Sequence, residues 1–140
     1  MFEEIIYRWR LHKLEIQSNK IQKEYTKQSK GLSGEELENI RAKESSVIWP
    51  VLEDIDSLIS NHFRQIANKL LVPLPDKKDN DLWEKQPYHQ RTILSTKGIW
   101  ELKKLIRREK HDKWEFFFLL LASLIGIIGA FTGLAAVLIR

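Results

Sequence analysis

The feature that most constrains this chain is a stretch of 24 consecutive residues without a charge, from Phe116 to Ile139. As an α-helix it would be about 36 Å long, whereas the hydrocarbon core of a bilayer is about 30 Å thick. A buried core helix is normally shorter and carries polar side chains along one face, but here only Ser123 and Thr132 are polar. The stretch therefore predicts one transmembrane helix that crosses the bilayer with some tilt.

Charge on the two sides of this stretch predicts its orientation. Residues 97 to 113 contain seven Lys or Arg and three Asp or Glu, whereas Arg140 alone follows the stretch. The positive-inside rule then places the N-terminal part in the cytoplasm. Basic side chains beside a membrane attract anionic headgroups, and tryptophan favours the interface. The predicted headgroup contacts are Lys103, Lys104, Arg107, Arg108, Lys110, Lys113 and Trp114.

Small residues recur on one face of the predicted span. Gly129 and Gly133 form a Gly-x-x-x-Gly pair, and alternating spacings of four and three extend the pattern to five positions. Small side chains let two helix backbones approach closely, so the pattern predicts an oligomer or contact with a membrane partner protein. The alternative is that these residues are merely tolerated, since Gly and Ala are common in spans. The predicted association face consists of Ala122, Gly126, Gly129, Gly133 and Ala136.

Residues 1–72 predict an antiparallel hairpin of two long amphipathic helices. Ser33 and Glu36 match a capping box for the second helix, and Pro50 predicts a kink or a break near Trp49. A two-helix hairpin buries little area alone, so it needs a third helix, another copy or a partner. The predicted inner face of the first helix consists of Tyr7, Leu11, Leu14, Ser18, Ile21 and Tyr25. One predicted apolar face of the second helix consists of Ile48, Leu52, Ile55, Ile59, Phe63, Ile66 and Leu70.

The rest of the chain divides into three segments. Residues 73–95 predict a Pro-rich and polar linker, either a short β-hairpin or an extended loop. Residues 96–113 predict a basic juxtamembrane helix, and residues 114–140 the transmembrane anchor. Because no Pro or Gly lies between Ile99 and Ile125, the last two segments predict one continuous helix. The expected fold class is mainly α.

We find no motif that indicates catalysis. The four histidines lie on four different predicted segments, and the chain has no cysteine. It also has no Gly-rich phosphate loop and no nucleophile elbow. The neighbouring carboxylates Glu53, Asp54 and Asp56 are interpreted as a solvated helix face rather than acid–base groups. We therefore expect no enzyme, no cofactor and no metal site.

The segment from Ile93 to Glu109 and the end of the chain resemble small bacterial membrane proteins of unassigned function. The shared features are the helix start Thr96-Lys97-Gly98, a basic juxtamembrane helix and a final span that contains Gly129-Ala130 and Thr132-Gly133. This resemblance covers about the last 50 residues. It implies the bacterial inner (cytoplasmic) membrane and implies no activity.

Three functions remain open at this point. The first is a membrane-anchored interaction or assembly protein. The second is a membrane-perturbing effector, a toxin or defence-system subunit that acts through oligomerised spans. The third is a tethered DNA-binding regulator, because residues 91–110 are similar to the end of a winged helix. No helix-turn-helix with a basic recognition helix precedes that segment, so nucleic acid is the least favoured partner.

Overall fold

A computed structural model describes residues 2–138, with side chains through Ala130. Within these residues the chain is mainly helical, with one two-stranded antiparallel sheet, as the sequence predicts. The sheet pairs Trp83 with Leu94 and Lys85 with Thr92. The elements in chain order are α1 (Phe2–Gln28), α2 (Glu35–Leu70), β1 (Trp83–Lys85), β2 (Thr92–Leu94) and α3 (Thr96–Leu138).

Helices α1 and α2 form the predicted hairpin. Ser18 is buried on the predicted inner face of α1, and the other five members of that face are half-buried. Gly31 and Gly34 both have positive φ angles, +84° and +65°, which glycine adopts without steric cost. The capping box is wrong. Gly34 takes the N-cap position with no side-chain cap, because α2 begins one residue later and leaves Ser33 outside it.

Helix α2 runs through Pro50 without interruption. The sequence predicts either a kink or a break near Trp49, and the structure excludes the break. A proline inside a helix costs ~3 kcal/mol, whereas burial of an Ile or Val side chain contributes about 1.5–3 kcal/mol. Ile48 and Val51 are both buried on either side of the proline. Their packing is sufficient to offset the lost backbone hydrogen bond.

The hydrophobic core lies between the C-terminal half of α2, the strand pair and the first turns of α3. Phe63, Ile66 and Leu70 pack against it from the predicted apolar face of α2. This part of the hairpin therefore receives its third layer from its own chain. Residues 73–95 contribute to the core and are more than a spacer. The buried members are Ala67, Val72, Trp83, Leu94, Leu102 and Ile106.

The start of α3 is fixed against the strand pair. Ser95 accepts a hydrogen bond from the Gly98 backbone N–H (3.1 Å) and donates one to the Asp81 carbonyl (2.7 Å). A Cβ atom at position 98 would lie 2.1 Å from the Leu82 carbonyl oxygen, so only glycine fits this approach. The helix start predicted at Thr96 is confirmed. Helix α3 then continues as a single helix to Leu138.

Candidate membrane interface

The C-terminal half of α3 projects away from the rest of the fold. Every residue from 110 to 130 is exposed. A candidate span, Thr96–Ala130, is long and apolar enough to cross a membrane, and none of its apolar window is buried within the molecule. Hydration of such an apolar surface is unfavourable. Exposed apolar patches larger than a few hundred Å² therefore usually mark an interaction site.

The seven predicted headgroup contacts are all exposed. At 100° per residue, Lys103, Arg107, Lys110 and Trp114 share one face of α3. The Lys103 ammonium nitrogen lies 4.6 Å from the centroid of the Phe63 ring, so this lysine also contacts the domain itself.

Lys104 contacts a ring of its own helix, with its ammonium nitrogen 5.3 Å from the Trp100 ring centroid. Lys113 pairs with Glu109 across one helical turn, with an Nζ to Oε1 distance of 3.5 Å. The members of the predicted set nearest the apolar half are Arg107, Arg108, Lys110, Lys113 and Trp114.

Aromatic rings mark the border between the basic and apolar parts of α3. The Trp114 ring centroid lies 6.1 Å from that of Phe117 and 6.1 Å from that of Phe118. These rings and Phe116 are exposed. Tryptophan has an apolar ring and a polar N–H, so this position suits the boundary between headgroups and acyl chains.

The predicted association face is uncovered as far as the side chains are described. Ala122, Gly126 and Gly129 are exposed, and a Cβ atom at Gly126 would meet no other atom within 4 Å. The space for a neighbouring helix is therefore available at this point. Gly133 and Ala136 lie outside the residues whose side chains are described.

In the carboxylate cluster on α2, Glu53 differs from its interpretation as part of a solvated face, whereas Asp54 is half-buried and Asp56 is exposed. Glu53 is buried, with 5% of its surface exposed. Its two carboxylate oxygens accept backbone N–H bonds from Tyr88 (2.9 Å) and His89 (2.8 Å). The buried Gln86 side chain donates to the Glu53 carbonyl oxygen (2.6 Å) and accepts from the Ser57 hydroxyl (2.9 Å). Glu53 thus holds the tip of the β1–β2 hairpin on α2.

The two neighbouring aspartates are in different environments. Asp54 pairs with Arg91, with an Oδ1 to Nη1 distance of 3.2 Å. Burial raises the pKa of Asp56, and the negative charge of Glu53 raises it further. Burial likewise raises the pKa of Glu84 on β1, with a contribution from Asp56. The fold therefore carries crowded negative charge where α2 meets β1.

An open groove of about 740 Å³ lies between α1 and α2. In it the Tyr7 and His62 rings stack with centroids 3.6 Å apart, and His62 Nε2 lies 3.4 Å from the Glu4 carboxylate. Burial lowers the pKa of His62. The sequence placed Tyr7 on the inward face of α1 but gave no signal for its pairing with His62, which depends on the register between the helices.

Three potential metal-ligating side chains meet on α3. Ligand atoms of His111, Asp112 and Glu115 lie within 4.8 Å of one another, and all three residues are exposed. This cluster was not predicted from the sequence, although a spacing of four places Glu115 on the same helix face as His111. The His111 Nδ1 to Glu115 Oε1 contact of 3.3 Å accounts for this arrangement as an ordinary pair across one turn.

These observations define the class of the molecule: a mainly helical protein with one C-terminal helix of transmembrane length. No family model matches the chain, and no curated protein or solved structure is significantly similar to it. Its function therefore has to be inferred from its own geometry.

Proposed function

We propose that this protein is a membrane-anchored assembly protein that self-associates at the cytoplasmic face of the bacterial inner membrane. In this proposal α3 is the anchor, the helical domain is the cytoplasmic part, and no catalytic step is assigned. The observation that carries the proposal is the uncovered apolar half of α3, in which every described side chain beyond residue 110 is exposed. A bilayer is the environment that accommodates such a helix.

The distribution of charge supports the orientation. Residues 1–75 contain 11 basic and 11 acidic residues, whereas residues 97–113 have an excess of basic ones. The excess positive charge thus lies beside the aromatic border of α3, where anionic headgroups would be in reach. A dedicated nucleic-acid surface would instead place its basic residues on the domain.

Two uncovered surfaces support self-association. One is the small-residue face of α3. The other is the distal hairpin, residues 16–28 and 35–49, in which α1 and α2 pack on each other. In this hairpin Ile48 is buried, whereas Val47 and Trp49 are exposed, and the described core cluster lies farther along the chain, from Phe63 onward. A second copy of the hairpin would complete a four-helix arrangement.

The stoichiometry of the full chain in lipid nanodiscs tests this proposal. The chain has no cysteine, so one introduced thiol is unique. We expect dimers or higher oligomers by mass measurement, and disulfide crosslinking between copies of Val47→Cys. The matched control is Glu38→Cys, nine residues earlier on the opposite face of α2, which should crosslink poorly. A monomer at all protein-to-lipid ratios would contradict self-association.

Two measurements separate the competing functions. Ion flux across protein-containing vesicles that depends on Gly129 and Gly133 would favour the membrane-perturbing effector. Binding of DNA by the full chain in nanodiscs that weakens steeply with salt would favour the tethered regulator. The assembly proposal expects neither result.

A further inference from the structure

Helix α1 has an outward apolar face that differs from its inward one. Phe2, Ile5, Ile6 and Trp9 are exposed and follow the spacing i, i+3, i+4, i+7 of a single helix face. All four belong to the first turns of the helix. Ile6 and Trp9 border the open grooves along α2, and the Lys13 ammonium nitrogen lies 5.6 Å from the Trp9 ring centroid. Phe2 and Ile5 are therefore the outermost members of this face.

The start of α1 lies beside the end of α2 and the basic part of α3. The Glu3 carboxylate pairs with Lys69 in the last turn of α2. The hydrogen bond from Arg8 is the main cause of the lowered pKa of Glu4, and the positive charge of Lys110 contributes. Lys110 precedes Trp114 by four residues, about 6 Å of helix. The start of α1 is therefore close to the border of the predicted span.

Leu71 gives independent support at the same end of the fold. It follows α2 directly, with φ of +60° in the left-handed region where glycine is normally preferred. Its side chain is 89% exposed and that of Phe2 is 81% exposed, whereas the most exposed apolar side chain of the described span, Leu119, reaches 68%. A leucine here has an unfavourable backbone conformation and makes little contact within the fold.

We propose that Phe2, Ile5, Ile6 and Leu71, here called the proximal patch, rest on the interface of the same bilayer that α3 crosses. This inference depends on the proposed membrane anchoring. Leu70, next to Leu71, packs against the core cluster that contains Ile106, about two helical turns before Trp114. The three cations near the patch, Arg8, Lys69 and Lys110, outnumber the carboxylates Glu3 and Glu4 that pair with two of them, so the net charge there is positive and complements anionic headgroups. Amphipathic helices place such apolar side chains about 5–10 Å into the boundary between headgroups and acyl chains.

This contact would fix how the domain stands on the membrane. A single helix lets a domain rotate and tilt about its anchor, whereas a second contact at the α1 start restrains both motions. The distal hairpin lies at the opposite end of α1 and would then point into the cytoplasm. The surface proposed to bind a second copy would be presented at a defined height above the bilayer.

Site-directed spin labelling of the full chain in vesicles of phosphatidylethanolamine and phosphatidylglycerol tests the inference. Single cysteines at Ile5→Cys and Leu71→Cys report on the patch. Leu120→Cys reports on the span, and Glu38→Cys on the distal hairpin. The measurement compares label collisions with oxygen, which concentrates in lipid, with collisions with a water-soluble nickel chelate.

We expect the labels at Ile5 and Leu71 to show a higher ratio of oxygen to nickel collisions than the label at Glu38, with Leu120 higher still. Labels at Ile5 and Leu71 that resemble Glu38, while Leu120 remains in lipid, would overturn the inference and leave the anchor intact. Labels shielded from both reagents would also overturn it, because a protein would then cover the patch. An aqueous label at Leu120 would overturn the anchor and the inference together.

Discussion

Glu53 stabilises the β1–β2 hairpin as a buried acceptor of two backbone hydrogen bonds. Replacement by alanine would leave the N–H groups of Tyr88 and His89 without this acceptor. Because hydrogen bonds to charged groups contribute about 1.5–3 kcal/mol, we expect Glu53→Ala to lower the free energy of unfolding by roughly that amount. Urea unfolding of the detergent-solubilised chain measures this. The control Glu15→Ala, at an exposed position on α1, should have little effect, and equal stability of both variants would contradict the assigned role.

Whereas removing the Glu53 carboxylate should lower stability, removing the charge of Asp56 should raise it, and by an amount that depends on pH. Because its folded-state pKa is raised, its ionised form destabilises the fold at neutral pH, and this cost disappears as the pH falls through that pKa. We expect Asp56→Asn to raise the melting temperature at pH 7.5 and to lose this advantage in acid. The neighbouring Asp54→Asn removes the negative charge opposite Arg91 and should show no gain. A gain from Asp56→Asn that persists in acid would contradict this explanation.

Leu71 links backbone strain to its proposed lipid contact. The left-handed conformation costs about 1–2 kcal/mol for a residue with a Cβ atom, so Leu71→Gly should raise the free energy of unfolding in detergent by about 1 kcal/mol. The control Asn68→Gly, within α2, should lower it by a similar amount. Thermal melts followed by circular dichroism compare the two. A loss of stability in Leu71→Gly would show that the leucine packs within the fold.

At the scale of elements, the small-residue face of α3 gives a prediction about helix association. Leucine at Gly129 and Gly133 would separate two backbones, whereas Ile127 and Leu134 lie off the small-residue face by helical spacing. Contacts of this kind contribute roughly 1–2 kcal/mol at most, so we expect a shift towards monomer without unfolding. A genetic dimerisation assay on residues 111–140 should report weaker association for Gly129→Leu/Gly133→Leu and little change for Ile127→Ala/Leu134→Ala. Equal association would mean that the glycines are only tolerated.

The elements that depend on local periodicity were predicted correctly. The inward face of α1 and the apolar face of α2 around Phe63 follow from spacing that one helix fixes by itself. The continuity of α3 follows from the absence of Pro and Gly between Ile99 and Ile125. The burial of Glu53 was not predictable in this way, because its partners lie 35 and 36 residues later and meet it only through the tertiary fold. The continuation of α2 through Pro50 also depends on tertiary contacts, because the packing of Ile48 and Val51 outweighs the tendency of proline to interrupt a helix.

The outward face of α1 was missed although its spacing is visible in the sequence. Phe2, Ile5, Ile6 and Trp9 follow a helical repeat, but the inward repeat that begins at Tyr7 is longer and determines the assignment. Two apolar faces on one helix can be separated only when the neighbours of each are known. The structure supplies those neighbours, because α2 covers one face and not the other.

At the scale of the whole molecule, the two ends of α1 have different surroundings. Its start pairs with the last turn of α2 through Glu3 and Lys69, and its end leads into the connection of the distal hairpin. In the proposal, the start of α1 lies beside the membrane and the distal hairpin extends away from it. This order suits a protein that is held at a membrane and presents a helical surface at a distance from it. All of these proposed roles require that α3 crosses a bilayer.

Reporter fusions to the full chain in a bacterial host test that point most directly. A reporter fused before Met1 should be active in the cytoplasm, and one fused after Arg140 should be active on the opposite side of the inner membrane. Neutralising Lys103, Lys104, Arg107, Arg108, Lys110 and Lys113, with lysines added after Arg140, should scramble or invert this arrangement. If both reporters of the unmodified chain are cytoplasmic, or the reporter before Met1 is periplasmic, the account is contradicted.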